Sequence, residues 1–214
     1  MSHTTDIIYI DFSRAFDSIA YSKLLKKLES YGIVGKLLNW ISSFVNDRYQ
    51  CVAIENCFSS VAKVISGVPQ GSVLGPILFI IFINDIDSVC HGQTKMKLYA
   101  DDAKLYSEIV LKDCSLSLQT SLNNLSTWAD AWQLSITVQK FCVLSTIINK
   151  HPSHTGSNNC YLNGILLTSN VNVLDLGITI SADLSYNMHI NNIVGKRYSV
   201  RVLYSVILLL VIFY

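Results

Sequence analysis

The sequence has almost no net charge. Its 16 Lys and Arg against 15 Asp and Glu leave +1, and only 14% of residues are charged. A broad basic surface of the kind that holds phosphate backbones is therefore not written in the composition. The six cysteines contain no Cys-x-x-Cys pair, which excludes a zinc ribbon or a dithiol redox motif. No signal-peptide pattern stands at the N-terminus, so the thiols read as reduced and the chain as intracellular, nuclear or cytoplasmic. His151, His154 and Cys160 lie close together on a polar stretch with Pro152 and Gly156, and read as a loop cluster rather than a metal site. Internal repeats and low-complexity tracts are absent, which excludes a solenoid or a flexible linker protein. Half the residues are hydrophobic, enough for a sizeable core and too many for a disordered chain.

What is there centres on Leu98-Tyr99-Ala100-Asp101-Asp102. Two adjacent carboxylates between β-forming flanks read as a hairpin, 95–99 and 103–109, with both acids at its turn. Neighbouring negative charges are costly to bury unless cations neutralise them; a solvated Asp-Asp turn is the plain alternative. Asp6 to Asp11 is a β-branched apolar run that ends in an acid, as a buried strand does. Gly67-Val68-Pro69-Gln70-Gly71-Ser72 is irregular, with glycines that permit close backbone approach and polar side chains at Gln70 and Ser72.

These stretches carry a resemblance. Asp11-Phe12-Ser13-Arg14-Ala15-Phe16-Asp17, then Ser66 to Pro76, then Tyr99-Ala100-Asp101-Asp102 resemble, in order and spacing, the reverse transcriptase of non-LTR (LINE- and jockey-like) retrotransposons. The resemblance runs from about Ile7 to about Arg201. It implies an α/β (α+β) fold: a polymerase palm with an antiparallel sheet backed by helices, partial fingers, and a thumb mostly missing. On that reading, residues 1–201 are the reverse transcriptase domain and 202–214 an apolar C-terminal tail.

The resemblance also implies roles. Asp11, Asp101 and Asp102 are the metal-binding carboxylates, holding two Mg²⁺ ions about 4 Å apart, with Mn²⁺ as a substitute. Phe16 falls where the family keeps a bulky side chain under the sugar of the incoming nucleotide; an ordinary core aromatic is the alternative. Gln70, Gly71, Ser72 and Tyr99 line the nucleotide and template pocket. Lys140 protonates the leaving pyrophosphate or is simply a strand-edge lysine, and Thr137 stands where the family usually has Asn. The implied partners are an RNA template, a DNA primer and dNTP. The near-zero charge counts against a complete enzyme, so a truncated mobile-element copy is expected, weakly active or catalytically silent.

The remaining elements follow from periodicity. Leu24, Leu25, Leu28 and Tyr31 mark one helix, with Lys23, Lys26 and Lys27 on its solvated face. Leu37, Leu38, Ile41, Phe44 and Val45 mark a second, with Trp40 beside it. A hairpin turning at Glu55-Asn56 follows. Pro76 is placed as the first residue of an apolar core helix running to Asp85. Leu118, Leu122, Leu125, Ala129 and Trp132 recur at helical spacing. A strand is expected over 141–148, a short hairpin around Asn163-Gly164, one strand over 173–180 and a last helix from Asp183. The tail 202–214 is shorter than the ~20 residues of a membrane span; Lys196, Arg197 and Arg201 would flank it, and a membrane anchor is the rival reading.

Overall fold

The computed structural model describes residues 3–109, 113–148 and 159–197. Strand β1 (His3–Asp11) is the centre of the molecule. Its residues alternate, with Asp6, Ile8 and Ile10 buried on one face, as a strand between a covered and a partly open side demands. It is followed by a short turn of helix, α1 (Ala15–Ser18), then α2 (Tyr21–Ser30) and α3 (Gly35–Val45). Four two-residue strands come next: β2 (Tyr49–Gln50), β3 (Ala53–Ile54), β4 (Cys57–Phe58) and β5 (Ala62–Lys63). They pair as β2 with β5 and β3 with β4, which is the expected hairpin turning at Glu55-Asn56.

Helix α4 (Leu74–Ile83) starts two residues before Pro76. Proline is tolerated there because N–H groups of the first turn have no partner within the helix. The helix is apolar all round, yet only one face is core: Leu78, Phe79, Phe82 and Ile83 are buried while Ile77 and Ile80 point outward. Strands β6 (Lys95–Tyr99) and β7 (Asp102–Ile109) form the central hairpin, and α5 (Asp113–Trp132) follows. The helical stripe read from sequence is the buried one, with Leu118, Leu122, Leu125 and Ala129 each at most 1% exposed.

Strand β8 (Cys142–Ile148) is followed by β9 (Tyr161–Leu162), β10 (Ile165–Leu166) and β11 (Thr168–Ser169). The expected single strand over 173–180 is instead a hairpin, β12 (Asn172–Asp175) and β13 (Ile178–Ser181). Leu176 and Gly177 both take positive φ and break the run, a turn the apolar pattern conceals. The last helix, α6, spans 187–197.

The main sheet has the order β11-β8-β1-β7-β6. It is antiparallel except where β11 runs parallel to β8. Helices α2, α4 and α5 contribute to one continuous core with β1, β7 and β8. One expectation fails inside that core. Lys27, read as a solvated lysine, is 2% exposed. It sits one helical turn from Leu24 on the inner face of α2, where its aliphatic stem packs like a hydrophobe. Its ammonium donates to the Phe82 carbonyl at 2.7 Å and pairs with Asp85. It also stands over the rings of Phe82, Trp128 and Trp132, with centroids at 5.4, 4.9 and 3.9 Å.

Among the described residues no helix is long and apolar enough to cross a membrane. The tail 202–214 lies outside the described residues, as do His151 and His154 of the loop cluster. Cys160 is buried, and burial together with Asp6 pushes its thiol up to about 11. That describes an inert core cysteine.

Candidate active site

Asp11 ends β1 and Asp102 begins β7, and the two are directly opposite in the antiparallel register. Asp102 is also opposite Tyr99 across the β6–β7 turn. The turn itself is therefore only Ala100-Asp101. The expectation that both acids share it is corrected: Asp101 sits in the turn and Asp102 in the strand. Ala100 takes φ 52°, a left-handed conformation that costs a residue with a Cβ on the order of 1 kcal/mol and recurs at functional sites.

Three carboxylates thus lie near one another at one end of the sheet, and Asp102 feels the other two. Burial, then the charges of Asp101, Asp11 and Asp175, push its carboxyl above the usual range, while Lys104 pulls it back. The nearest cation to Asp11 is Lys140, whose Nζ lies 2.7 Å from Oδ2. Lys140 closes a 3₁₀ turn, Val138–Lys140, held beside β1 by the bridge between Phe12 and Ile136. Among the described residues, no three His, Cys, Asp or Glu side chains converge closely enough to form a ready-made metal cage.

Asp175 is a member of this neighbourhood that sequence reasoning missed. It ends β12 and pairs with Lys104 of β7, both largely shielded from solvent. Lys104 also stands 5.6 Å from the ring centroid of Tyr9, whose hydroxyl burial and Asp175 push up to about 12. The signal in sequence was a lone Asp inside a β-like run, which has no local meaning until the strand is seen to fold back.

The second half of the site is the glycine-containing loop. It is fastened to the segment after β1 by backbone bonds, Gly67 N–H to Ile19 O and Val68 N–H to Phe16 O, both 2.8 Å. Gly67 has φ 83°, and a Cβ there would stand 2.6 Å from the Asp17 backbone. The close approach expected of this glycine is thus to the protein's own chain, not to a ligand. Gly71 has φ 78° and open space around it. Gln70 is exposed and donates from Nε2 to Asp17 Oδ1 at 2.7 Å. Ser72 is committed internally: its hydroxyl donates to Pro69 O at 2.6 Å and accepts from Gly75 N–H at 3.0 Å, which supports the start of α4. Phe16 is half-buried and stacks on Phe79 with centroids 4.2 Å apart. Tyr99 is 68% exposed beside the acids. Arg48, unremarked in the sequence, donates to the Tyr21 hydroxyl at 3.1 Å and to Gly67 O at 3.2 Å, tying α2, the hairpin and the loop together.

Comparison with known proteins gives the arrangement its context. A family model described as "Reverse transcriptase (RNA-dependent DNA polymerase)" matches residues 2–182. The RNA-directed DNA polymerase from mobile element jockey of Drosophila funebris is 32% identical over 192 residues, covering 86% of this chain and 20% of that protein. The probable RNA-directed DNA polymerase from transposon BS of Drosophila melanogaster is 28% identical over 204 residues, covering 89% of this chain and 22% of that protein. The chain therefore spans about a fifth of the length of these relatives. Among solved structures, apo telomerase from Candida tropicalis aligns with TM-score 0.55 at 15% identity, over 86% of this chain and 35% of its own. Telomerase from Candida albicans, in complex with a telomeric RNA fragment, aligns with TM-score 0.56 at 14% identity, over 85% and 30%. At that identity the likeness speaks for the fold, which is a partial polymerase palm. With the family model running through nearly all of the described sheet and relatives drawn from jockey and BS elements, the chain belongs to the reverse transcriptase family, among those of non-LTR retrotransposons.

Proposed function

We propose that the chain carries out RNA-templated DNA synthesis, joining a deoxynucleoside triphosphate to the 3′-hydroxyl of a DNA primer. The observation that supports this best is the pairing of Asp11 with Asp102 across the central strands, with Asp101 in the adjoining turn. An all-oxygen donor set of like charges, in which burial and then its neighbours raise the carboxyl of Asp102, suits a hard divalent cation. Asp11, Asp101 and Asp102 would hold Mg²⁺ as a pair of ions, or Mn²⁺ in its place. Bound there, the metal would lower the pKa of the primer hydroxyl and offset the triphosphate's charge.

The chain's own residues do the positioning, which supplies much of the rate in phosphoryl transfer. Phe16, backed by Phe79, presents a ring under the sugar and disfavours a 2′-hydroxyl. Gly71 lets the loop backbone approach the nucleotide, and Tyr99 flanks the acids. Lys140 holds a proton at Nζ, 2.7 Å from Asp11, and is exposed enough to pass it to the departing pyrophosphate. The template is RNA held by shape and backbone, because its sequence is read by base pairing. Primer extension on an RNA template with Mg²⁺ at low salt tests this, with Asp101→Asn as control. Template-dependent products from the parent chain and none from the control are expected. Equal yields from both would refute the assignment, and no product from either would favour a catalytically silent chain.

A further inference from the structure

The loop carrying Gln70 is held along its whole length, yet one link in it is different in kind. The Ser66 hydroxyl donates to Asp17 O at 2.7 Å, and the amides of Gly67 and Val68 bond to Ile19 and Phe16. These contacts use backbone and set where the loop lies. The bond from Gln70 Nε2 to Asp17 Oδ1 is instead between two side chains. It sets which way round an amide faces. A carboxylate only accepts, so the amide must turn its NH₂ to Asp17 and its carbonyl oxygen away. Asp17 and Gln70 both line a cavity of about 460 Å³, with Arg48, Tyr49 and Ser66 on its other walls. That volume is in the range of small-molecule sites, 300–1,000 Å³ as a rough span.

We infer that Asp17 is a positioning residue: it fixes the Gln70 amide so that a carbonyl oxygen, and not an NH₂, is offered to an N–H or O–H donor of the nucleotide bound beside the loop. The inference rests on the polymerase reading of that loop. Asp17 itself touches no reacting atom. Because the loop backbone and the 16–19 segment are already fastened together, forming the side-chain bond orders little besides the two side chains themselves. A near-isosteric amide at position 17 removes the constraint without removing the loop. Asparagine both donates and accepts, so Gln70 would then face either way.

The test uses the full chain with Mg²⁺, an RNA template and a DNA primer ended in a dideoxynucleotide, so that the complex forms without turnover. The affinity for dATP opposite template uridine is measured for the parent, D17N, Q70A and the double variant, with melting temperatures alongside. D17N is expected to weaken dATP binding by about twofold, because an amide free to face either way offers its oxygen about half the time, with no change in melting temperature. Q70A should cost at least as much, and adding D17N to Q70A should cost nothing further, because Asp17 acts through Gln70. D17N/Q70E, which reverses donor and acceptor but still turns an oxygen to the cavity, should bind dATP better than Q70E alone. Parent-like affinity in D17N, or additive losses in the double variant, would overturn the inference while leaving the polymerase reading intact. A parent chain that forms no dATP-dependent complex would overturn both.

Discussion

Lys27→Ala should destabilise this fold by far more than the loss of a surface lysine would. The parent ammonium is 2% exposed and donates to Phe82 O and Asp85, under three aromatic rings. Truncation deletes the charged hydrogen bonds, the ring contacts and a buried aliphatic stem. Breaking a buried pair typically costs about 3–5 kcal/mol. Here the abandoned carboxylate of Asp85 is 40% exposed and still accepts from Trp128 Nε1 at 3.3 Å, so water and the indole recover part of the loss. The expected penalty is about 3 kcal/mol, near 10 °C in Tm at roughly 2–4 °C per kcal/mol for a chain of this size. Lys27→Met keeps the stem and should cost only about 1 kcal/mol, since Asp85 is solvated and the loss is then mainly that of the ammonium's hydrogen bonds. The two are separated by urea unfolding followed through tryptophan fluorescence, Trp128 and Trp132 being reporters inside the cluster. The sign of the pH dependence is also fixed. Burial holds the ammonium below the ordinary 10.5 despite Asp85, so the unfolded chain binds the proton more tightly. The contribution of Lys27 to stability therefore rises as pH climbs from the folded value towards 10.5, and K27M should lose that rise. A K27A penalty under about 0.5 kcal/mol, or K27M as damaging as K27A, would refute the account, since surface changes fall in that range.

Asp102→Asn should stabilise the fold near neutral pH while removing polymerisation. Its carboxyl is raised above 3.8, so its contribution to stability is largest in acid and falls as pH rises through the raised value. The gain is expected to be small, on the order of 1 °C because the group is screened by solvent, and a pH series of melting curves checks it. Asp101→Asn and Asp11→Asn should each bring primer extension below detection with an unchanged melting curve, since the amide keeps shape and loses the charge that holds metal. Phe16→Ala should lower the ratio of kcat/KM for deoxy- over ribonucleotides. It should also cost about 2 kcal/mol of stability, less than the 3–5 of a fully buried phenylalanine. An unchanged ratio with lowered stability would make Phe16 an ordinary core aromatic.

Most elements were legible because period and punctuation agree in this chain. The α5 stripe, the Asn163-Gly164 hairpin and the strand ending in Asp11 each satisfy a local rule and occupy the expected places. The misreadings occur where a residue type points one way and its position another. Charge puts Lys27 on the surface, yet its phase on α2 puts it with Leu24 and Leu28. Hydropathy puts Ile77 and Ile80 in a core helix, yet the side of α4 that carries them faces outward. The site was legible in its acids and its loop. Its connecting partners were not, because Asp17 to Gln70, Lys140 to Asp11 and Lys104 to Asp175 are contacts across tens of residues that no local pattern encodes.

The placement of β1 at the middle of the sheet also sets a timetable. It is made before both strands that flank it, because its neighbours β7 and β8 lie about ninety or more residues downstream. At a synthesis rate of roughly 5–20 residues per second, Ile8 and Ile10 wait on the order of 5–20 s for the strand that covers their flank. During that interval an apolar, β-branched segment with both edges open is available to other chains. The facing of Asp11 and Asp102 cannot arise before the wait ends. Loop closure over such a span is slow compared with helix formation. The helices α2 and α3, which are adjacent in sequence and pack on each other, have time to form first.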